Sequence, residues 1–509
     1  MGVALAFALA TTALTPASAQ TLQDELERLV QEHPQLKASR DAVEQARAGI
    51  TAAAAGGLPN VTLTGDATYK KIDSPSTRAI DNPWSRIGER AGVNVSQNLF
   101  DGGRTAAGKQ GAQLQVTSAE YDLRGTRQQL LLQGVTAYIE VVRQARLVDL
   151  SRKNERIISD RLSLEDERVQ RGGGTAVDVL LAKTRLQLAK ERRVVLEGQL
   201  RDMITRYNQV FGHPPDPERM VDPPLAAYLV PADLDSVIAE SFQRNPVLTG
   251  AAAQVEAARI AQRSARAEYL PTFDLTGAMN WEKDREGTMG IRRDASVGIE
   301  ATWNIFNGFA TRAAVADAAF NYSSQLNNRL NVGRKVEEEA RLAWQGVSTA
   351  CDRRLLLDNA VSIAAEVHDA RVRLRDAGRE TIVNVLDAES ELFNSEINLV
   401  TSIYDEKLAV YRLAVAMGRD ILVEMQDTLS DDGTATNYES RCAAPNLEPA
   451  QRQAGAATTA PATPAPTPAT PAAPAEVINP FRAPEPAANP FAVPPGAAVP
   501  ANPFLTPAR

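Results

Sequence analysis

The chain has 509 residues, with 55 Lys and Arg against 63 Asp and Glu, a net charge of −8 and only 5% aromatic residues. That acidic balance gives no electrostatic reason to expect nucleic acid as a partner, and the three histidines and two cysteines fall in no metal-ligand spacing. After the N-terminus no run of about 18 uncharged apolar residues occurs, so no transmembrane helix is expected.

Residues 1–19 carry no charged side chain and end in Ala17-Ser18-Ala19. They read as a signal peptide cut before Gln20, which implies an oxidising compartment. No Cys stands at that site, so no lipid anchor is expected. The segment 22–56 reads as a helix about 52 Å long at 1.5 Å per residue.

Two alternating segments follow. Val61, Leu63, Gly65, Ala67 and Tyr69 interleave with Thr62, Thr64, Asp66 and Thr68, and Ala91, Val93, Val95 and Leu99 interleave with Gly92, Asn94, Ser96 and Asn98. At about 9–12 residues each, they have the length of tilted membrane strands. No proline occurs from Trp84 to His213. Within that span a helix is predicted over 103–171, about 104 Å long. A break at Gly172-Gly173-Gly174 precedes a second helix over 175–211. Leu131, Val135, Tyr138, Val142 and Ala145 step by fours and threes, which is coiled-coil spacing. An ordinary helical bundle gives the same seams.

The order then repeats. Leu58-Pro59 and Leu63-Thr64-Gly65 recur 212 residues later, and Asn98, Phe100, Gly102, Gly172, Thr175, Val179, Leu180 and Gly212 recur 206 residues later. The second pair of strands holds Phe273, Leu275, Met279 and Trp281, then Ala295, Val297, Ile299, Ala301 and Trp303. Helices are predicted over 309–377 and 381–417. The domains are therefore a signal peptide at 1–19, repeat 1 over 20–220, repeat 2 over 221–425 and a connecting segment at 426–444. Residues 445–509 hold 17 of the 30 prolines and three Asn-Pro-Phe repeats, the composition of a disordered, partly extended tail.

Aromatics near the strand ends (Tyr69, Phe100, Trp281, Trp303, Phe306) suit an interfacial girdle. The polar faces, with Asp66 and Glu300, suit a wet lumen. Two soluble hairpins with one buried face are the plainer alternative. Four strands cannot close a barrel, and open edges are not tolerated in lipid, so a membrane reading requires oligomers: two chains give eight strands, three give twelve.

With these features the chain resembles the TolC family of outer-membrane channel proteins. The motif carrying the resemblance is Gly378-x-x-Thr381-Ile382-Val383-Asn384-Val385-Leu386-Asp387-Ala388, echoed by Gly172-x-x-Thr175-Ala176-Val177-Asp178-Val179-Leu180. The resemblance implies a mainly α fold with a membrane β part: a homotrimer with a 12-stranded outer-membrane barrel and a periplasmic tunnel of helices. It implies export from a Gram-negative cell, as multidrug efflux or type I secretion. The implied partners are a periplasmic adaptor, an inner-membrane ABC or proton-driven transporter and outer-membrane lipid. Acidic rings at the periplasmic aperture fall on Asn384 and Asp387, the first position being Asp in most relatives. Gly172, Thr175, Val179, Leu180, Gly378, Thr381, Val385 and Leu386 mark the helix tips as adaptor contacts. Glu380 stands where TolC proper has an Arg linking the coils.

Asp178, three residues after Thr175, is expected at the periplasmic aperture with Asn384 and Asp387, a capping box being its plainer alternative, whereas Asp387 lies beyond capping range and has a solvated helix face as its plainer alternative. Residues 103–109 approach a phosphate-binding loop but lead into Gln110, not Ser or Thr. No cofactor and no enzymatic centre are implied. A periplasmic coiled-coil adaptor without a pore is the alternative function. Cys351 and Cys442 are expected to pair, two free thiols being the alternative.

Overall fold

A computed structural model describes residues 20–427 apart from 80–83 and Gly174. The expected signal peptide, the Pro-rich tail and Cys442 lie outside the described residues.

Repeat 1 runs α1 (Leu22–Glu32), α2 (Pro34–Ala55), β1 (Asn60–Ile72), α3 (Pro75–Arg78), β2 (Trp84–Phe100), α4 (Arg104–Gln170) and α5 (Ala176–Phe211). Repeat 2 runs α6 (Leu234–Arg244), α7 (Pro246–Ala267), β3 (Thr272–Lys283), β4 (Ile291–Thr302), α8 (Ala310–Asp376), α9 (Ile382–Ala416) and α10 (Ile421–Asp427). Both long helices have 67 residues, about 100 Å at 1.5 Å per residue.

One expectation is corrected. The segment 22–56 is two helices, not one. Pro34 lacks an N–H and pushes the residue before it out of the α region, so His33 is extended, with φ −64° and ψ 128°. The His33 ring then caps α2, its Nδ1 accepting from the Gln35 N–H at 3.2 Å. Asn245-Pro246 repeats the device 212 residues later, and Asn245 Oδ1 accepts from the Val247 N–H at 3.0 Å.

The long helices organise the rest. α2 and α5 pack along α4, and α7 and α9 pack along α8. α4 also packs on α7 and α9, which welds the repeats into one body. The main core lies at mid-height, where α1, α6 and α10 join the long helices. Leu26, Leu29, Leu131, Val135, Tyr138, Tyr411 and Leu413 are almost wholly buried there. The Tyr138 hydroxyl donates to the carbonyls of Gln20 (2.7 Å) and Val221 (2.8 Å), tying down the first residue of each repeat. Burial raises its phenol well above the ordinary value. Cys351 is buried on α8 in the same core.

α1 reaches α4 at Gly134. A Cβ there would stand 2.7 Å from Leu29 Cδ2 and 2.8 Å from Leu26 Cδ2. Gly134→Val therefore overpacks the contact, at a cost of about 1–3 kcal/mol. The expected outcome is a lower thermal midpoint with early proteolysis within α1, read by calorimetry and peptide mapping.

Candidate functional site

Two regions carry the surface chemistry: the sheet at one end of the long helices and the turned tips at the other. The sheet is antiparallel in the order β1-β2-β3-β4. Its register aligns Leu63 with Val93, Val93 with Met279, and Met279 with Ala295. The apolar residues expected on one face lie there except Leu99, which falls in a bulge, and Trp303, which lies just past the end of β4. The register slips between Asn98 and Phe100, so that Phe100 stands opposite Phe273. Such a bulge inserts one residue and turns the strand.

Among the described residues nothing covers the apolar face. Leu63, Val297 and Ile299 are 78%, 84% and 68% exposed. The opposite face is polar and internally bonded. Asn98 Nδ2 donates to Asp274 (2.9 Å) and Asn280 Nδ2 to Asp294 (3.0 Å), while Arg285 Nη1, in the β3–β4 turn, pairs with Asp66 (3.0 Å). Twelve residues at about 3.3 Å each, tilted by about 40°, rise roughly 30 Å, the thickness of a bilayer core. Aromatics bracket that height. Tyr69 and Trp281 lie toward the distal end, and Phe100, Phe273, Trp303 and Phe306 lie beside the helices. Phe309 packs edge-to-face on Phe306 from a left-handed backbone, φ 68°. Repeat 1 has a glycine at the matching Gly103.

At the far end each long helix stops in a Schellman turn. The Gly173 N–H bonds the Arg168 carbonyl and the Arg379 N–H the Leu374 carbonyl, both at 2.9 Å. The αL residues are Gly172 (φ 80°) and Gly378 (φ 72°). Thr175 and Thr381 then cap α5 and α9. Asp178 completes a capping box: its N–H donates to Thr175 Oγ1 at 3.2 Å and its carboxylate accepts from the Thr175 N–H. The Asn384 N–H donates to Thr381 Oγ1 and its side-chain amide to Glu380. That bond, with the Thr381 N–H, holds the Glu380 carboxyl below its ordinary value.

The tips are packed inside and open outside. Ala182, Ile382, Val385 and Leu386 form a small buried cluster joining α5 to α9, and Val179 is buried as well. Leu180 and Val177 are each 62% exposed. Charged contacts cross between the repeats. Asp387 is half exposed, its carboxylate accepting from Arg185 Nη2 on α5 at 2.6 Å. Glu165, buried on α4, pairs with Arg375 on α8 at 2.6 Å and with Arg168 at 3.5 Å. Arg375 also donates to the Glu380 carbonyl, and Arg371 to that of Asn384 at 2.9 Å. Higher up, His368 meets buried Glu389 at 2.7 Å between α8 and α9. Arg371 and Arg375 of α8 thus tie down the turn that holds Glu380. Arg185, Glu165 and Arg375 were invisible in the sequence, because their partners lie about 200 residues away.

Among the described residues no cluster of three or more His, Cys, Asp or Glu could hold a metal, and no helix is long and apolar enough to cross a membrane. Arg375→Met should leave the buried Glu165 carboxylate with a single distant partner. Removing one member of a buried pair costs about 3–5 kcal/mol. The expected outcome is faster amide exchange over 372–386, with exchange at mid-height unchanged.

The family model described as outer membrane efflux protein matches residues 26–212 and 237–419, once in each repeat. The outer membrane efflux protein BepC of Brucella suis biovar 1 is 26% identical over 420 residues, covering 82% of this chain and 90% of BepC. The outer membrane protein TolC of Vibrio cholerae is 24% identical over 409 residues, 79% of this chain and 91% of TolC. Among solved structures, the Vibrio cholerae outer membrane protein VceC shares the fold, with a TM-score of 0.67 and 17% identity over 78% of this chain and 96% of VceC.

Proposed function

We propose that this chain, which belongs to the outer membrane efflux protein family and is an outer-membrane efflux channel, works as a homotrimer whose 12-stranded barrel opens into a periplasmic tunnel of helices. The observation that carries this reading is the sheet. It has an apolar outer face, a polar inner face and two unpaired edges, β1 and β4. Three copies joined β4 to β1 close it and leave an interior wide enough for a channel. Native mass spectrometry of detergent-extracted protein is expected to give three chains; a stable monomer would refute the reading.

The tips form the periplasmic end and the meeting place with a periplasmic adaptor, itself coupled to an inner-membrane transporter. Exposed Leu180 and the turns at Gly172-Thr175 and Gly378-Thr381 offer the contact, while buried Val179, Val385 and Leu386 set its shape. Leu180 and Val177 are apolar side chains with nothing over them, as a docking edge requires.

Asp387 is assigned to the aperture. Three such carboxylates around one axis repel unless a cation sits among them, and Arg185 offsets part of that charge in each chain. Asp387→Ala should weaken cation selectivity in a planar bilayer and relieve block by a trivalent cation, and Arg185→Ala should strengthen both. Selectivity and block that ignore both substitutions place the pair away from the pore.

Cys351 and Cys442 are assigned as a disulfide, which an oxidising compartment permits. Labelling of unreduced, denatured protein should then find no free thiol, whereas two labelled thiols per chain rule the bridge out.

A further inference from the structure

The lipid-facing side of the sheet carries a cation where an apolar residue would be cheapest. Arg293 stands directly opposite Trp281, in the same row as Ala91 and Gly65. It is exposed and has no acidic partner among the described residues. Its neighbour Lys283 has one, since Lys283 Nζ lies 4.0 Å from Glu89 across the β2–β3 pair.

The level of Arg293 is set by the register. It is two residues from the outer end of β4 at Ile291, and Trp281 is two residues from the outer end of β3 at Lys283. An arginine on the lipid face costs about 2–4 kcal/mol at the bilayer midplane and roughly 0–1 near the interface. The guanidinium therefore lies at headgroup level, beside an indole that favours the same depth. Below it the apolar face is not flat. A shallow groove there is lined by Leu63, Ala91, Val93, Met279, Trp281 and Arg293, with Asn280 and Asp294, themselves hydrogen-bonded to each other, also lining it.

An acyl chain fits an apolar groove, and a phosphate fits a guanidinium that has no carboxylate of its own, through paired N–H···O bonds. We propose that Arg293 and this groove form a site for one phosphorylated lipid of the outer leaflet, its phosphate on Arg293 and one acyl chain along Ala91 and Met279. The proposal rests on the channel reading, which puts the end of the sheet away from the helices at the outer leaflet.

The test is native mass spectrometry of the full chain in mild detergent. The probes are lipid A carrying its phosphates, the same lipid with the phosphates removed, and inorganic phosphate alone. The unaltered trimer is expected to retain the phosphorylated lipid about tenfold better than the stripped one, the factor that one charge-assisted contact supplies. Inorganic phosphate at matched concentration should not displace it. Arg293→Gln should abolish the preference and leave the three-chain assembly intact, and Lys283→Gln, altering the already paired cation, should preserve it. A trimer that binds both lipids equally, or an Arg293→Gln trimer that keeps the preference, overturns the site while leaving the channel standing. A monomer without lipid overturns both.

Discussion

An unpaired backbone N–H or C=O in hydrocarbon costs several kcal/mol, and β1 and β4 each present a row of them along twelve or more residues. In the proposed trimer, closure against further copies of the same sheet pairs those edges. The helices inherit the geometry. Because β2 and β4 lead into α4 and α8 through short connections, strand spacing around the proposed barrel would set the spacing of coils around the proposed tunnel. Membrane closure and tunnel formation are one constraint acting at two levels.

Much of this was legible in the residues. Period-two alternation marked the strands, proline-free spans marked the long helices, and the recurrence of Gly172 and Thr175 as Gly378 and Thr381 marked both turns. Helix ends were placed well because glycine in αL and threonine as N-cap are local chemistry. The break at His33-Pro34 was also available, since Asn245-Pro246 repeats it at the 212-residue offset already seen for Leu58-Pro59. The bulge at Leu99 was less so, because a slipped register depends on the partner strand as well as the strand itself.

At the tips, capping was legible and pairing was not. The Thr175–Asp178 box lies within four residues. Arg185 and Asp387 are separated by 202 residues, and nothing in either neighbourhood announces the other. Family resemblance pointed to Asn384 and Asp387 as charged-ring positions, yet Asn384 is also an ordinary structural residue, bonded to Glu380 and Thr381 within its own turn.

The equal length of α4 and α8, 67 residues each, limits how such a molecule can change size. One extra residue in a helix lifts everything beyond it by about 1.5 Å and turns it by about 100°, carrying the apolar seam off its neighbour. Only a whole heptad restores the facing, and it must enter the returning helix and the sister repeat together, or the tips no longer end level. The reach of a tunnel built from duplicated coils is therefore quantised in steps of about 10 Å, and a cell envelope of different depth selects among discrete lengths.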